Sequence, residues 1–492
     1  MTNLGRVNDL SRAADLTGAT DEAAGPGSDI GDRADLIAVG LAAALILIAA
    51  LVGVLLKHSG IQLHATTAPL FARFHPHLGI GTPFAVVTAG LVVRFGPKVA
   101  ADWRWHRALT AATAAGLVWL VSLALVGGRE GILRPLATPY EYLIDVPRAG
   151  PLPDFLRSFA ARIPAGSAAP WHTHAAGHPP GMLLVFLLLS RIGLGGAGPA
   201  AAVCLLAGAL TVPLVASATR AACGEDWARR TLPFSVLMPA AIWAGVSADA
   251  VIAATGALGL ALITHAAVAG AGISGRVGSG RVGPGGIWLA LAGGVVLGVT
   301  CFLSYGAVLL AVPAAAVLIG FGRWQLIGPA AVGALAVVTL FAEAGFPWWE
   351  GYVAVHARYL AGYGGTRPYS YWSWANLAAL AIAAGPAVVA GLARLLFRRS
   401  GGSGRSGGSS GWRSRTSPLP IGALALAGGA FAAILLATAS GMSKAEVERI
   451  WLPWTIWLPV ACALLPWSQA RWWLIAQATV ALLVEHLLIT PW

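Results

Sequence analysis

The chain predicts an all-α, polytopic transmembrane helical bundle of about thirteen or fourteen spans, with one long non-cytoplasmic loop. Three observations carry that expectation. Of the 492 residues 57% are hydrophobic and only 11% charged, where soluble domains carry about a quarter charged residues, and the mean hydropathy is +0.73. Apolar runs of about the 17 to 25 residues a spanning helix needs recur near 35–57, 82–100, 108–126, 179–195, 198–219, 231–247, 250–270, 287–306, 307–321, 325–344, 373–397, 419–439, 451–467 and 472–490. Arginines gather in the short connections between those runs, the distribution that retains loops in the cytoplasm.

In chain order, residues 1–33 are polar, contain Arg6, Arg12 and Arg33 and lack the apolar core of a signal peptide, so they are expected to be a disordered cytoplasmic tail. Residues 34–492 form the membrane domain. The basic connection 98–107, Arg276 and Arg281, Arg323, and the Gly/Ser-rich linker 398–418 are expected on the cytoplasmic side. Segments 127–178, 345–372 and 443–451 then fall on the opposite face. One conflict follows: two apolar runs lie between residues 178 and 229, where the orientation demands an odd number of crossings. One of them is therefore re-entrant, interfacial or not a span.

The net charge of +12 follows from these topological arginines, so no nucleic-acid partner is expected. Cys204, Cys223, Cys301 and Cys462 have no Cys-x-x-Cys spacing and read as small apolar residues. No Walker or dinucleotide motif occurs, which disfavours ATP-driven transport and soluble nucleotide-sugar donors.

Chemistry collects in the long loop. Glu141 and Asp145 are four apart; if Pro139 opens an interfacial helix, both lie on one face, and repulsion with partial burial raises at least one pKa toward neutrality. The plainer alternative pairs them with Arg134 and Arg148 on a solvated surface. The loop ends in Trp171-His172-Thr173-His174-Ala175-Ala176-Gly177-His178-Pro179-Pro180, hard against the apolar run 182–189. Its three imidazoles suit a divalent metal ion completed by Glu141 or Asp145, contacts to a phosphate at a helix start, or capping. Pro179 and Pro180 suit a first helical turn. Asp249 stands in an apolar neighbourhood, where a carboxylate is functional by default; its alternative is a helix cap with Ser247. The loop 345–372 is aromatic, as an interfacial belt is, and its density also suits sugar stacking.

An acidic loop closed by His178-Pro179-Pro180, then Met238-Pro239 with Ser247-Ala248-Asp249, then Lys444-Ala445-Glu446-Val447-Glu448-Arg449-Ile450-Trp451, resembles the GT-C superfamily of polyprenyl-phosphate-sugar-dependent glycosyltransferases. The protein O-mannosyltransferase and aminoarabinose transferase branches are the nearest in pattern, and the third element is similar to a late motif of actinobacterial members. The likeness covers about 108–270 and, more loosely, the helix count. The chain departs from the commonest pattern in having no adjacent acidic pair early in the loop. The resemblance implies inverting transfer of a sugar from a polyprenyl-phosphate donor to a cell-envelope glycan, lipid or protein, on the outer face of the cytoplasmic membrane. It implies catalytic roles for Glu141, Asp145 and Asp249. Substrate contacts would come from His172, His174, His178, Arg358, Arg367, Lys444 and Arg449, the arginines and lysine neutralising the lipid phosphate. No cofactor is implied, a divalent metal ion remaining one use of the histidines. The competing classes are a lipid-linked substrate transporter or flippase and a non-catalytic membrane scaffold.

Overall fold

Backbone groups in hydrocarbon must be satisfied within their own segment, so apolar runs of this length form helices. The computed structural model describes residues 26–269, 282–397 and 419–490, and they are predominantly helical. Among the described residues eight helices can, by length and composition, cross a membrane: Asp32–His58, Gly81–Asp102, Trp105–Ala137, Ala197–Cys223, Ala248–Val268, Pro284–Leu303, Trp324–Glu343 and Ile421–Ala439. Tyr369–Ala384 and Pro386–Phe397, bent by 113°, make a ninth if counted as one span. The chain is an integral membrane protein. The thirteen or fourteen expected runs thus resolve into eight or nine long spans and several shorter apolar helices, among them Pro180–Arg191, Tyr305–Gly320 and Leu452–Leu464. The run 231–247 shows why: Glu225–Val236 stops at Leu237, and Met238-Pro239 separates it from the short helix Ala241–Ala244. Of the expected tail 1–33, residues up to 25 lie outside the described residues, as do the linker 398–418 and the connector 270–281.

Small residues let these helices approach backbone to backbone. A Cβ on Gly294 would stand 1.9 Å from the Ala330 carbonyl oxygen, and one on Gly333 would stand 2.2 Å from that of Leu291. The helices Pro284–Leu303 and Ile327–Glu343 therefore cannot keep their spacing with larger residues at those two positions.

The polar residues sort to two ends. At one, Arg229 donates to the carbonyls of Ala100 and Trp103 at 2.6 and 2.8 Å, joining the basic connection 98–107 to the start of Glu225–Val236. At the other, Arg358 of the aromatic segment donates to the carbonyls of Ile163 and Trp171 at 2.6 and 3.1 Å, and Arg449 reaches Asp249. Segments 127–178, 345–372 and 443–451 share this second end.

Pro180–Arg191 explains the crossing conflict. Its twelve residues rise only about 18 Å, short of the about 30 Å hydrocarbon layer. Phe186 packs on Tyr142, and Arg191 donates to the Gly150 carbonyl at 2.9 Å. The helix thus stays with the 127–178 segment along its length, and Ala197–Cys223 alone crosses before residue 229.

Candidate active site

Three segments far apart in sequence bring polar side chains into one buried cluster. Glu141 precedes a single 3-10 turn, Tyr142–Ile144. His174 lies in the one-turn helix Thr173–Gly177 and is held there by its N–H donating to the Tyr140 carbonyl at 2.9 Å. Ser247 caps Ala248–Val268, its hydroxyl accepting the Asp249 N–H at 3.1 Å and donating to Asp249 Oδ2 at 3.0 Å. Arg449 sits in the short helix Val447–Ile450. Its Nη1 donates to Asp249 Oδ2 at 2.9 Å and lies 3.3 Å from His174 Nδ1. The same Nδ1 is 3.2 Å from Glu141 Oε1. Glu141, Asp249 and Arg449 are each 4% exposed and His174 6%.

Burial sets the charge states. It pushes Glu141 up to about 7, with Arg449 pulling the other way and Asp249 and Glu446 reinforcing the rise. For Arg449 burial works against the charge, but Asp249, Glu141 and Glu446 outweigh it and hold the guanidinium protonated. His174 is driven well below the usual imidazole range by burial and by Arg449, so its ring is neutral. A neutral ring has one Nδ1 to offer two neighbours. With a proton there it donates to ionised Glu141; without one it accepts from Arg449. The tautomer of His174 is thereby coupled to the ionisation of Glu141.

Asp145 does not share a helix face with Glu141, because no helix forms at Pro139 and the intervening 3-10 turn directs the two carboxylates apart. Asp145 is fully buried, salt-bridged to Arg148, 2.9 Å from His172 Nδ1 and 2.8 Å from the His172 N–H. Arg148 also donates to the Pro170 carbonyl at 2.8 Å, so Asp145 and His172 tie the two ends of the loop together, outside the cluster. His178 directs Nδ1 to the His174 carbonyl at 3.0 Å. Among the described residues no group of three or more His, Cys, Asp or Glu is arranged to hold a metal ion; the three imidazoles diverge to different partners. Arg358 binds the carbonyls of Ile163 and Trp171, and Lys444 binds that of Gly364 at 2.7 Å. Arg367 pairs with Glu446 at 2.9 Å and donates to the Lys444 carbonyl at 2.7 Å.

Asn376 carries no sequence motif, and neither does the backbone turn that it holds inside the 444–451 motif. Ala445 and Glu446 are consecutive non-glycine residues in the left-handed region, at φ 67° and 63°, a conformation that costs on the order of 1 kcal/mol or more per residue. Asn376, a lone carboxamide in the apolar run 373–397, holds them: it donates to the Ser443 carbonyl at 2.6 Å and accepts the Ala445 N–H at 3.2 Å. Glu446, turned by that geometry, lies 3.6 Å from Arg449 and bridges it to Arg367. A polar amide among Ala and Leu was the only available sign.

Fold and cluster together define an integral membrane protein with a buried acid–imidazole–guanidinium site at one end of its bundle. No protein-family model matches the chain, and no curated protein sequence matches it. Among solved structures it is similar to ArnT from Cupriavidus metallidurans in the apo state, with 15% sequence identity and a TM-score of 0.40. The match covers 72% of this chain and 59% of that one.

Proposed function

We propose that the chain is a GT-C-type glycosyltransferase that moves a sugar from a polyprenyl-phosphate donor to a cell-envelope acceptor at the outer face of the cytoplasmic membrane. The observation that carries this reading is the buried Glu141–His174–Arg449–Asp249 cluster. Such a transfer forms a bond between an acceptor oxygen and the anomeric carbon while the bond from that carbon to the lipid phosphate breaks. The acceptor must lose a proton and the departing phosphate must have its charge held. Glu141, with a pKa of about 7, suits the first task, because a general base works best when poised near the operating pH. Arg449 suits the second: preorganised in a dry site, it needs no reorganisation as charge develops. Asp249 orients Arg449, and His174 lies between base and cation. Asp145 takes no chemical part in this reading.

Next to Asp249 a small apolar cavity begins at Ala250 and is lined by Trp119, Met238 and Leu452, a surface that suits hydrocarbon. The segregation of the basic connection 98–107 to the opposite end supports an outward-facing site. The test is donor release by the purified protein, presented with a short-chain polyprenyl-phosphate sugar. Turnover by the wild type that is lost in Glu141→Gln is the expected result; turnover surviving in that variant would remove Glu141 as the base, and none in the wild type would remove the reading.

A further inference from the structure

A second apolar recess runs from the middle of the bundle to its opposite end, between Gly81–Asp102, Trp105–Ala124 and Glu225–Val236. Its floor is made of residues with almost no side chain, Gly96, Ala100, Ala108 and Ala112, and its walls include Phe95 and Leu232. No charged side chain lines it. Such a surface rejects water and polar ligands and accepts a hydrocarbon chain. From Leu91 to Ala100 the recess runs about 14 Å along the helix axis, and Leu91 and Phe95 at its rim are exposed, so it is open to the bilayer.

The far end of this recess is cationic. Two of the three helices that form it are joined at residues 103–104, and Lys98, Arg104 and Arg107 stand exposed around that joint. None of the three side chains has an ion-pair or hydrogen-bond partner among the described residues. Asp102 is the one acid between 98 and 107. On the third helix Arg229 is already engaged, paired with Glu225 at 2.7 Å and bound to the carbonyls of Ala100 and Trp103, so it fixes the joint and leaves the other three cations for a ligand.

We infer that this groove is a binding site for an anionic glycerophospholipid, one acyl chain lying between the three helices and the phosphate headgroup resting on Lys98, Arg104 and Arg107. Charge complementarity selects an anionic headgroup over a zwitterionic one, and the direction of the groove keeps it separate from the Glu141–Arg449 cluster. The proposal therefore stands or falls independently of the transferase reading.

Native mass spectrometry of the detergent-purified full chain, titrated separately with phosphatidylglycerol and phosphatidylcholine of equal chain length, tests it. The wild type should hold one phosphatidylglycerol more tightly than phosphatidylcholine. Each cation near a headgroup supplies about fivefold in affinity, so Lys98→Gln/Arg104→Gln/Arg107→Gln should lose up to about a hundredfold for phosphatidylglycerol and leave phosphatidylcholine nearly unchanged. These positions are exposed, so the fold is not at risk. Ala112→Leu, which narrows the floor and keeps every cation, should weaken both lipids together. Equal affinity for the two lipids in the wild type, or a preference that survives the triple substitution, would overturn the headgroup site. Unchanged binding in Ala112→Leu would overturn the groove.

Discussion

Arg449 Nη1 and Asp249 Oδ2 meet at 2.9 Å across 200 residues of chain, each side chain about 5% exposed. A charge pair so dry is held by geometry, because the attraction must offset the desolvation of both partners. Removing one partner strands the other, at about 3 to 5 kcal/mol. Arg449→Ala is expected to lower the melting temperature and to weaken binding of a short polyprenyl phosphate by about ten- to a hundredfold, the worth of one charge-assisted contact. Arg449→Lys should lose less, keeping the charge without the fork. Equal binding by wild type and Arg449→Ala would remove this arginine from the phosphate site.

The two loop carboxylates separate by measurement. Glu141→Gln should lower turnover by about 10²- to 10⁴-fold with the melting temperature preserved. Asp145→Asn should do the reverse, destabilising the loop by loosening Arg148 and His172 while the folded fraction retains its rate. In the wild type, turnover should rise with pH and level off above about 7, where Glu141 is ionised. A flat profile between pH 6 and 8 would count against Glu141 as the base.

How much of this was legible in the sequence follows from what each residue type can announce. Apolar runs and interspersed arginines announce a helical membrane bundle, since hydropathy is the dominant physical signal. Glu141, His174, Asp249 and Arg449 drew attention as polar groups in or beside apolar runs, and the fold brings those four together. The four-residue spacing of Glu141 and Asp145 implies a shared face only on a helix, and a 3-10 turn gives spacing a different meaning. Hydropathy likewise cannot distinguish a crossing helix from Pro180–Arg191, which stays beside the loop it follows. Asn376 and the left-handed pair it clamps depend on a tertiary contact between Tyr369–Ala384 and residues 443–445, so no local pattern announces them.

Glu448 offers a stability test. It is 1% exposed, its Oε1 accepts the Phe71 N–H at 3.0 Å, and burial pushes its carboxyl up to about 7 from an ordinary 4.5. The folded state then holds a proton that the unfolded chain releases between pH 4.5 and 7, so the contribution of this group is present below pH 4.5 and falls as pH rises through 7, by about 3 kcal/mol in all. Glu448→Gln, which cannot ionise, should gain on the wild type in melting temperature between pH 5 and 8. A difference constant over that range would show that Glu448 does not titrate there. Comparing variant with wild type cancels the opposing contributions of His174 and His178, whose lowered pKa values favour the fold as pH rises toward 6.5.

The clamp on the left-handed pair can be loosened from either side. Asn376→Ala leaves a buried N–H and a carbonyl without their partner and should cost about 1 to 3 kcal/mol, with turnover reduced because Arg449 follows four residues later. Ala445→Gly meets no steric penalty at φ 67° and should stabilise or be neutral, within about 1 kcal/mol. Destabilisation by Ala445→Gly beyond that margin, read by thermal unfolding in detergent, would show that the left-handed conformation is not what strains this turn.

Cysteines introduced at Ala168 and Tyr363 should react with an impermeant maleimide on intact cells, and one introduced at Arg104 should not. The reverse pattern would turn the bundle over and place the cluster in the cytoplasm.

The cluster has a biosynthetic consequence. Glu141, His174 and Asp249 are synthesised long before the ribosome reaches Arg449, so over the 200 residues from Asp249 to Arg449 the nascent bundle holds both acids without the arginine that meets them. Until residue 449 emerges, those acids must stay wet or protonated, and the helices around them cannot close. A chain cut short before that point would present an open acidic mouth, a state that cellular quality control can read as unfinished.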